Sequence, residues 1–283
     1  MSDGFTAACL QLTSVREVEP NIVMVRDLAR RARDKGADLI MTPEVTDMIE
    51  PKRAIALSKA KLEADHPMLT AARDVARETG AWFLLGSIMV KLAGDERTAN
   101  RSFLIAPDGV VRARYDKIHM FDVDLEKGES YRESRAYRPG ASATLAELPW
   151  GPLGMTICYD LRFPDLYRSL AQAGAMFLSV PAAFTVPTGR AHWHVLIRAR
   201  AIENFCFVFA PAQSGEHADG RKTYGHSMIV APWGEILAEA EDGPGFITAT
   251  IDPAKVADAR GAVPSLSHDR PFAPPVRKPL AAE

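Results

Sequence analysis

KGADLIMTPEV, residues 35–45, and AGAMFLSVPAA, residues 173–183, follow one plan: a glycine that stops a helix, a short apolar run, then a proline. Short apolar runs between turn signals read as buried strands. Working outward, the first copy is preceded by the strand FTAACLQL and by NIVMVRDLARRARDKG, whose apolar residues recur at spacings of three and four and predict a helix ending at Gly36. It is followed by the helix PMLTAARDVARETG, the strand AWFLLGSIMV and the hairpin SFLIAPDGVVRARYD, turned by Pro-Asp-Gly. The second copy has the same surroundings: strand GPLGMTICY, helix PDLYRSLAQAG, helix AHWHVLIRARAIEN, strand FCFVFAPAQ and hairpin SMIVAPWGEILAEA. FLIAPDGVVRA (103–113) and MIVAPWGEILA (228–238) share even the turn glycine. Two similar halves predict an α/β fold with two sheets face to face and helices outside, because sheets of this kind need both faces covered. Loops from both halves then meet at one end. The expected domain is 1–262. The segment 263–283 is too rich in proline for regular structure and is expected on the surface or against a partner subunit.

With 283 residues and 47% hydrophobic content, the chain can bury a large core. Its 34 Lys+Arg against 36 Asp+Glu leave a net charge of -2 without long runs of either sign. That distribution gives no footprint for nucleic acid or an anionic membrane, so the expected partner is a small molecule or another protein. No apolar run reaches membrane-spanning length, and the N-terminus lacks the pattern of a secretory signal. Cys9, Cys158 and Cys206 are odd in number and have no metal-like spacing, which argues against a disulfide framework and for a reducing, cytoplasmic setting.

Three residues stand at the C-terminal ends of predicted strands, where open α/β sheets carry their sites. They are Glu44 after ADLIMTP, Lys117 after VVRARYD and Cys158 after GMTI. Singly, each has a bland reading: a solvated carboxylate, a surface lysine, a buried cysteine. Together they form a chemical set. A thiol needs a base, and Glu44, its pKa raised by burial, could take the proton. Lys117 and the N–H of Tyr159 could stabilise the oxyanion that follows attack on a carbonyl. Pro164 and Asp165 suit the start of the next helix, whose positive end would favour the thiolate. Cys9 and Cys206, inside apolar strands, read as core.

At these residues the sequence resembles the nitrilase superfamily of carbon–nitrogen hydrolases. The matching segments are LIMTPEV, RYDKIHMFDVD and GMTICYDLRFPDLYR, joined by YRESRAYRPG, VPAAFTVPTGRAHWHVLIRARAIEN and KTYGHSMIVAPWGEI, so the likeness covers nearly the whole chain. The resemblance implies a four-layer αββα sandwich, a Glu44–Lys117–Cys158 triad, and a further glutamate, Glu133, that orients Lys117 or the substrate. It also implies hydrolysis of a linear amide bond through a thioester, by a homodimer that needs no metal or organic cofactor. The segments AAFTVPTGRAHW, RARAIEN and YGHSMIVAPWG look most like the amidase branch that acts on keto-acid amides. Of its substrates, glutathione with its amino group turned into a keto group is favoured over short 2-oxoglutaramate-type acids; nitriles and carbamoylated amines are further alternatives.

Such substrates are anionic, so Arg190 and Arg221, in two polar loops, are candidate binding residues, with Phe184, Thr185 and His192 beside them. Arg162 is expected to pair with a carboxylate. His192 and His194 flank Trp193 and point to different helix faces, a poor chelating pair. A cysteine–histidine hydrolase using His119, His192 or His226 competes, as does a binding protein with a vestigial triad.

Overall fold

In the computed structural model, residues 4–124, 130–218 and 220–277 are described. The first half builds β1 (Phe5–Gln11), α1 (Val18–Asp34), β2 (Leu39–Met41), α2 (Arg53–Lys59), α3 (Pro67–Thr79), β3 (Trp82–Lys91), β4 (Thr98–Ile105) and β5 (Val111–Asp116). A small ribbon follows, β6 (Asp122–Asp124) with β7 (Ser130–Arg132). The second half builds β8 (Thr144–Leu148), β9 (Gly151–Met155), α4 (Pro164–Gln172), β10 (Phe177–Ser179), α5 (Val186–Asn204) and β11 (Phe207–Ala210). A second ribbon, β12 (Ser214–Glu216) with β13 (Lys222–Tyr224), precedes β14 (Met228–Val230), β15 (Ile236–Glu239), β16 (Gly245–Ile251) and α6 (Ala254–Ala262).

Two six-stranded mixed sheets result, ordered β16-β1-β2-β3-β4-β5 and β15-β14-β11-β10-β9-β8. In each, three parallel strands are flanked by an antiparallel hairpin on one side and a single antiparallel strand on the other. The hairpin turns match bond for bond. Ala106 N–H donates to Val110 O at 3.0 Å and Gly109 N–H to Ala106 O at 2.8 Å; Ala231 repeats this with Glu235 at 2.8 Å and Gly234 with Ala231 at 2.9 Å. Both glycines are left-handed, at φ 76 and φ 94.

Side-chain alternation decides the layers. On β1, Ala8 and Leu10 face outward onto Val25, Leu28, Ala29 and Ala32 of α1 and Met68, Ala72 and Val75 of α3. Phe5, Ala7 and Cys9 face inward, in one cluster with Met155, Phe177, Phe209 and Met228 of the second sheet. The Phe5 ring stacks on Trp150 at 4.1 Å and meets the Phe177 edge at 5.4 Å. Helices α4 and α5 cover the outer face of the second sheet, completing an αββα sandwich. Cys9 and Cys206 are wholly buried.

Beside the site the backbone is tightly packed. A Cβ placed on Gly86 would meet Pro181 of the other half at 2.7 Å and would lie 1.8 Å from Thr42 O and 2.6 Å from Pro43 O, so only glycine lets β3 pass the loop after β2. That loop begins sooner than its sequence suggests. β2 ends at Met41, and the strand before Cys158 ends at Met155; beyond them Thr42 N–H still reaches Leu84 O at 3.0 Å and Thr156 N–H reaches Ser179 O at 3.2 Å before each chain turns away. From Val263 the described chain has turns but no helix or strand, tied down where Arg168 holds Asp269 and Ser265 O.

Candidate active site

Glu44 sits three residues past β2 on a pinned loop. Gly86 N–H donates to Thr42 Oγ1 at 2.9 Å, Thr46 Oγ1 to Pro43 O at 2.7 Å, Val45 N–H to Ser87 Oγ at 3.0 Å, and Gln213 Nε2 to Glu44 O at 3.0 Å. Val45 itself is left-handed at φ 50, a conformation that costs a β-branched residue about 1–3 kcal/mol and is held only by such surroundings. Lys117 follows β5 directly, its N–H bonded to Asn100 O at 2.9 Å. Cys158 opens a 3-10 turn, Cys158–Arg162, again left-handed at φ 50, with its N–H on Pro181 O at 2.9 Å. Strand ends from both halves thus deliver the three side chains to one place.

Lys117 Nζ, 2% exposed, lies 2.8 Å from Glu44 Oε1 and 2.9 and 2.8 Å from the two oxygens of Glu133. Glu133 also accepts from the Phe121 N–H at 2.6 Å. Cys158 lines the same cavity as Glu44 and Lys117, near enough to feel both charges. Burial opposes the charge on Lys117, but Glu133 and Glu44 outweigh it and hold the ammonium well above an ordinary lysine. Burial likewise pushes the Cys158 thiol far up, reinforced by the Glu44 charge. For Glu44 burial also works upward, yet Lys117, Cys158 and Arg221 together bring its carboxyl below the usual range.

Two expectations are corrected here. Glu44 is not raised by desolvation, because the lysine compensates its burial. The thiolate is not favoured by a helix end either: a 3-10 turn separates Cys158 from α4, and the sulfur is buried beside a carboxylate. The resting arrangement is a neutral thiol against an ionised base.

A cavity of about 490 Å³ opens over these groups, lined among others by Glu44, Lys117, Glu133, Cys158, Tyr159, Phe184, Thr185 and Arg221. Arg221 Nη2 donates to Ala183 O at 3.0 Å and its guanidinium lies 5.5 Å over the Tyr131 ring. Arg190 and His192 are outside this lining and exposed. α5 begins at Val186, and its turn brings Thr188 to the cavity while carrying positions 190 and 192 round to the surface. His192 Nδ1 lies 3.3 Å from Arg162, whose guanidinium sits over Tyr159 and Phe184 and pairs with no carboxylate among the described residues.

Among the described residues, no histidine lines the cavity. His119 is turned away, its Nδ1 2.7 Å from Asp160 Oδ1 and its ring stacked 3.5 Å from Phe163. His226 and His194 share Glu239 Oε1 at 2.7 and 2.8 Å; this trio, with ligand atoms within 4.8 Å of one another, could hold a metal, but it lies outside the cavity lining.

Two polar residues escape a reading of the sequence. Asn100, 2% exposed within β4, donates to Glu44 at 3.0 Å and to Glu133 at 3.3 Å, leaving its Oδ1 buried without a partner at the cavity wall. Asp160, wholly buried, accepts from Tyr115 OH at 2.7 Å, His119 N–H at 3.0 Å and Ile157 N–H at 2.9 Å. It lashes the Cys158 turn to the strand that carries Lys117. For Asp160 the available signal was a carboxylate between Tyr159 and Leu161; Asn100, between Ala99 and Arg101, carries no such signal.

A buried carboxylate, ammonium and thiol on an αββα sandwich define a hydrolase of carbon–nitrogen bonds, and comparison agrees: the chain belongs to the carbon-nitrogen hydrolase family, which it matches over residues 6–261. It is an amidase-type hydrolase acting on carbon–nitrogen bonds other than peptide bonds. It is similar to the deaminated glutathione amidase of Yersinia enterocolitica, 40% identical over 265 residues, 93% of this chain and 92% of that protein. The deaminated glutathione amidase of Homo sapiens is 39% identical over 270 residues, 93% of this chain and 82% of that one. Among solved structures, the C. elegans NitFhit protein superposes with a TM-score of 0.90 at 37% identity, over 95% of this chain and only 66% of that longer one. Saccharomyces cerevisiae Nit3, of the nitrilase superfamily, gives 0.84 at 27% identity, over 93% of this chain and 96% of that one. No helix among the described residues is long and apolar enough to cross a membrane.

Proposed function

We propose that Glu44, Lys117 and Cys158 hydrolyse the amide bond of a keto-acid amide, deaminated glutathione first among them, through a thioester. The observation that carries this reading is the buried Lys117 ammonium between Glu44 and Glu133, in a cavity that Cys158 lines with them. An ammonium has three N–H donors. At rest they meet three carboxylate oxygens, one of Glu44 and two of Glu133, and giving up one Glu133 contact turns an N–H to the developing oxyanion, together with the Tyr159 N–H.

Glu44 takes the proton from sulfur as sulfur bonds to the amide carbon. The tetrahedral oxyanion collapses, the C–N bond breaks, and Glu44 returns that proton to the departing nitrogen. Water then gives a proton to Glu44 and attacks the thioester; the C–S bond breaks, sulfur regains the proton, and the acid leaves. Glu133, saturated by Lys117, Asn100 and the Phe121 N–H, positions the lysine and is a poor base. No metal or organic cofactor enters these steps. Arg221, with Phe184 and Thr185, receives the acyl carboxylate.

The name carried by the relatives supports the long keto-amide over the short one. Three free cysteines, all buried, suit the cytosol. The test is product release from deaminated glutathione, 2-oxoglutaramate, a nitrile and a carbamoyl amine. Amine and keto acid from the first at the highest kcat/KM are expected; turnover confined to the nitrile or the carbamoyl compound would refute the substrate class.

A further inference from the structure

The cavity holds more positive charge than the triad uses. Lys117 is neutralised by two glutamates, and Arg132 is bound to Asp124 at 2.7 and 2.9 Å and to the carbonyls of Val123 and Tyr131. Arg53, the first residue of α2, and Arg135, the last of the turn Glu133–Arg135, also line it. Both are exposed, and neither has a hydrogen bond or ion pair among the described residues. Among the described residues the remaining lining carboxylate, Glu50, does not cancel them: its side chain is 3% exposed and sits 3.6 Å from Lys59. The wall nearby is apolar, formed by Met48, Ala56, Met89 and Tyr137.

We infer that Arg53 and Arg135 form an outer anion subsite that grips a carboxylate on the leaving amine of the substrate. The inference rests on the amide hydrolysis proposed above. The acyl part stays on Cys158 after the first step, so the amine must depart first, through the open end of the cavity, where exposed arginines stand. Guanidinium groups with no protein partner suit a carboxylate there, since their planar forks match its two oxygens. The volume agrees: about 490 Å³ lies in the range that takes a drug-sized ligand, more than a short keto acid requires. The turn that carries Arg135 also carries Glu133, which is bonded to Lys117, so the outer subsite stands at a fixed offset from the reacting carbon.

The experiment uses two amides with the same keto-acyl group, one releasing ammonia and one a dipeptide with a free C-terminal carboxylate. Both give one thioester, so differences arise in binding and in its formation. In the Arg53→Ala/Arg135→Ala double variant, the ratio of kcat/KM for the dipeptide amide over the simple amide should fall about tenfold to a hundredfold, mostly through KM, as for other charge-assisted contacts. Masking the dipeptide carboxylate as a neutral amide should cost the wild type a similar factor and abolish the effect of the double variant. An unchanged ratio, or an equal loss on the masked substrate, overturns the subsite. A wild-type enzyme that releases neither amine overturns the amidase reading itself.

Discussion

At the scale of single residues, the proposed site brings together three ionisable groups that share one burial and resolve it differently. Lys117 keeps its proton, Cys158 keeps its proton, and Glu44 gives its proton up. The lowered carboxyl must be ionised to act, and it stays so until pH falls below the ordinary glutamate value, roughly 4.3. The raised thiol and ammonium keep their protons past roughly pH 8.5 and 10.4, the ordinary values for each. The profile of kcat/KM against pH is therefore expected to be flat from about 5 to 8, and an acid limb near 6.5 would point to a histidine base instead. The three residues could be picked out in the sequence because each stands at the end of a predicted strand. Their protonation could not, since desolvation and charge pairing depend on distances between segments far apart in the chain, 73 residues for Glu44 and Lys117. The same holds for Arg190 and His192: the helix was legible, its rotation about its axis was not.

At the scale of elements, the turn Cys158–Arg162 is set by its neighbours rather than by its own sequence. Asp160 joins it to β5 through Tyr115 and His119, and Arg200 of α5 donates to Leu161 O at 3.0 and 2.7 Å. Asp160→Ala strands buried donors worth about 1–3 kcal/mol each. It should lower the chemical-denaturation midpoint, with a loss of about 3 kcal/mol or more, and cut kcat by tenfold or more as sulfur drifts from Lys117. A variant with both values unchanged would show that the network does not position the nucleophile. Strands β1 and β3, helices α1, α3 and α4, and both hairpins follow from periodicity and turn glycines. β8 and β16 do not: β8 turns directly into β9, with Leu148 opposite Gly151, in a stretch without alternating apolar residues, and β16 returns across the whole chain to β1. The two ribbons are short, and α2 carries a single buried residue, Ala56, too little for a local pattern.

At the scale of the molecule, the second half leaves an apolar face uncovered. Val195 and Trp233 are 68% and 55% exposed, with Ile202 and Leu237 also open to solvent and Trp233 stacked on Phe205 at 6.1 Å. This face of α5 and the β14–β15 hairpin is proposed as the isologous contact of a homodimer. Light scattering should give twice 30.9 kDa, and Trp233→Asp should shift it toward the monomer; a monomeric wild type at micromolar concentration would refute the dimer. The central claim concerns how the halves meet, since Glu44 and Lys117 come from one and Cys158 from the other. The most direct test is intact-mass and peptide mapping of enzyme quenched in acid during turnover of a keto-amide. An adduct with the mass of the acyl group on the peptide containing Cys158, absent together with turnover in Cys158→Ala, is the predicted result. Turnover without that adduct, surviving in Cys158→Ala, would contradict the account.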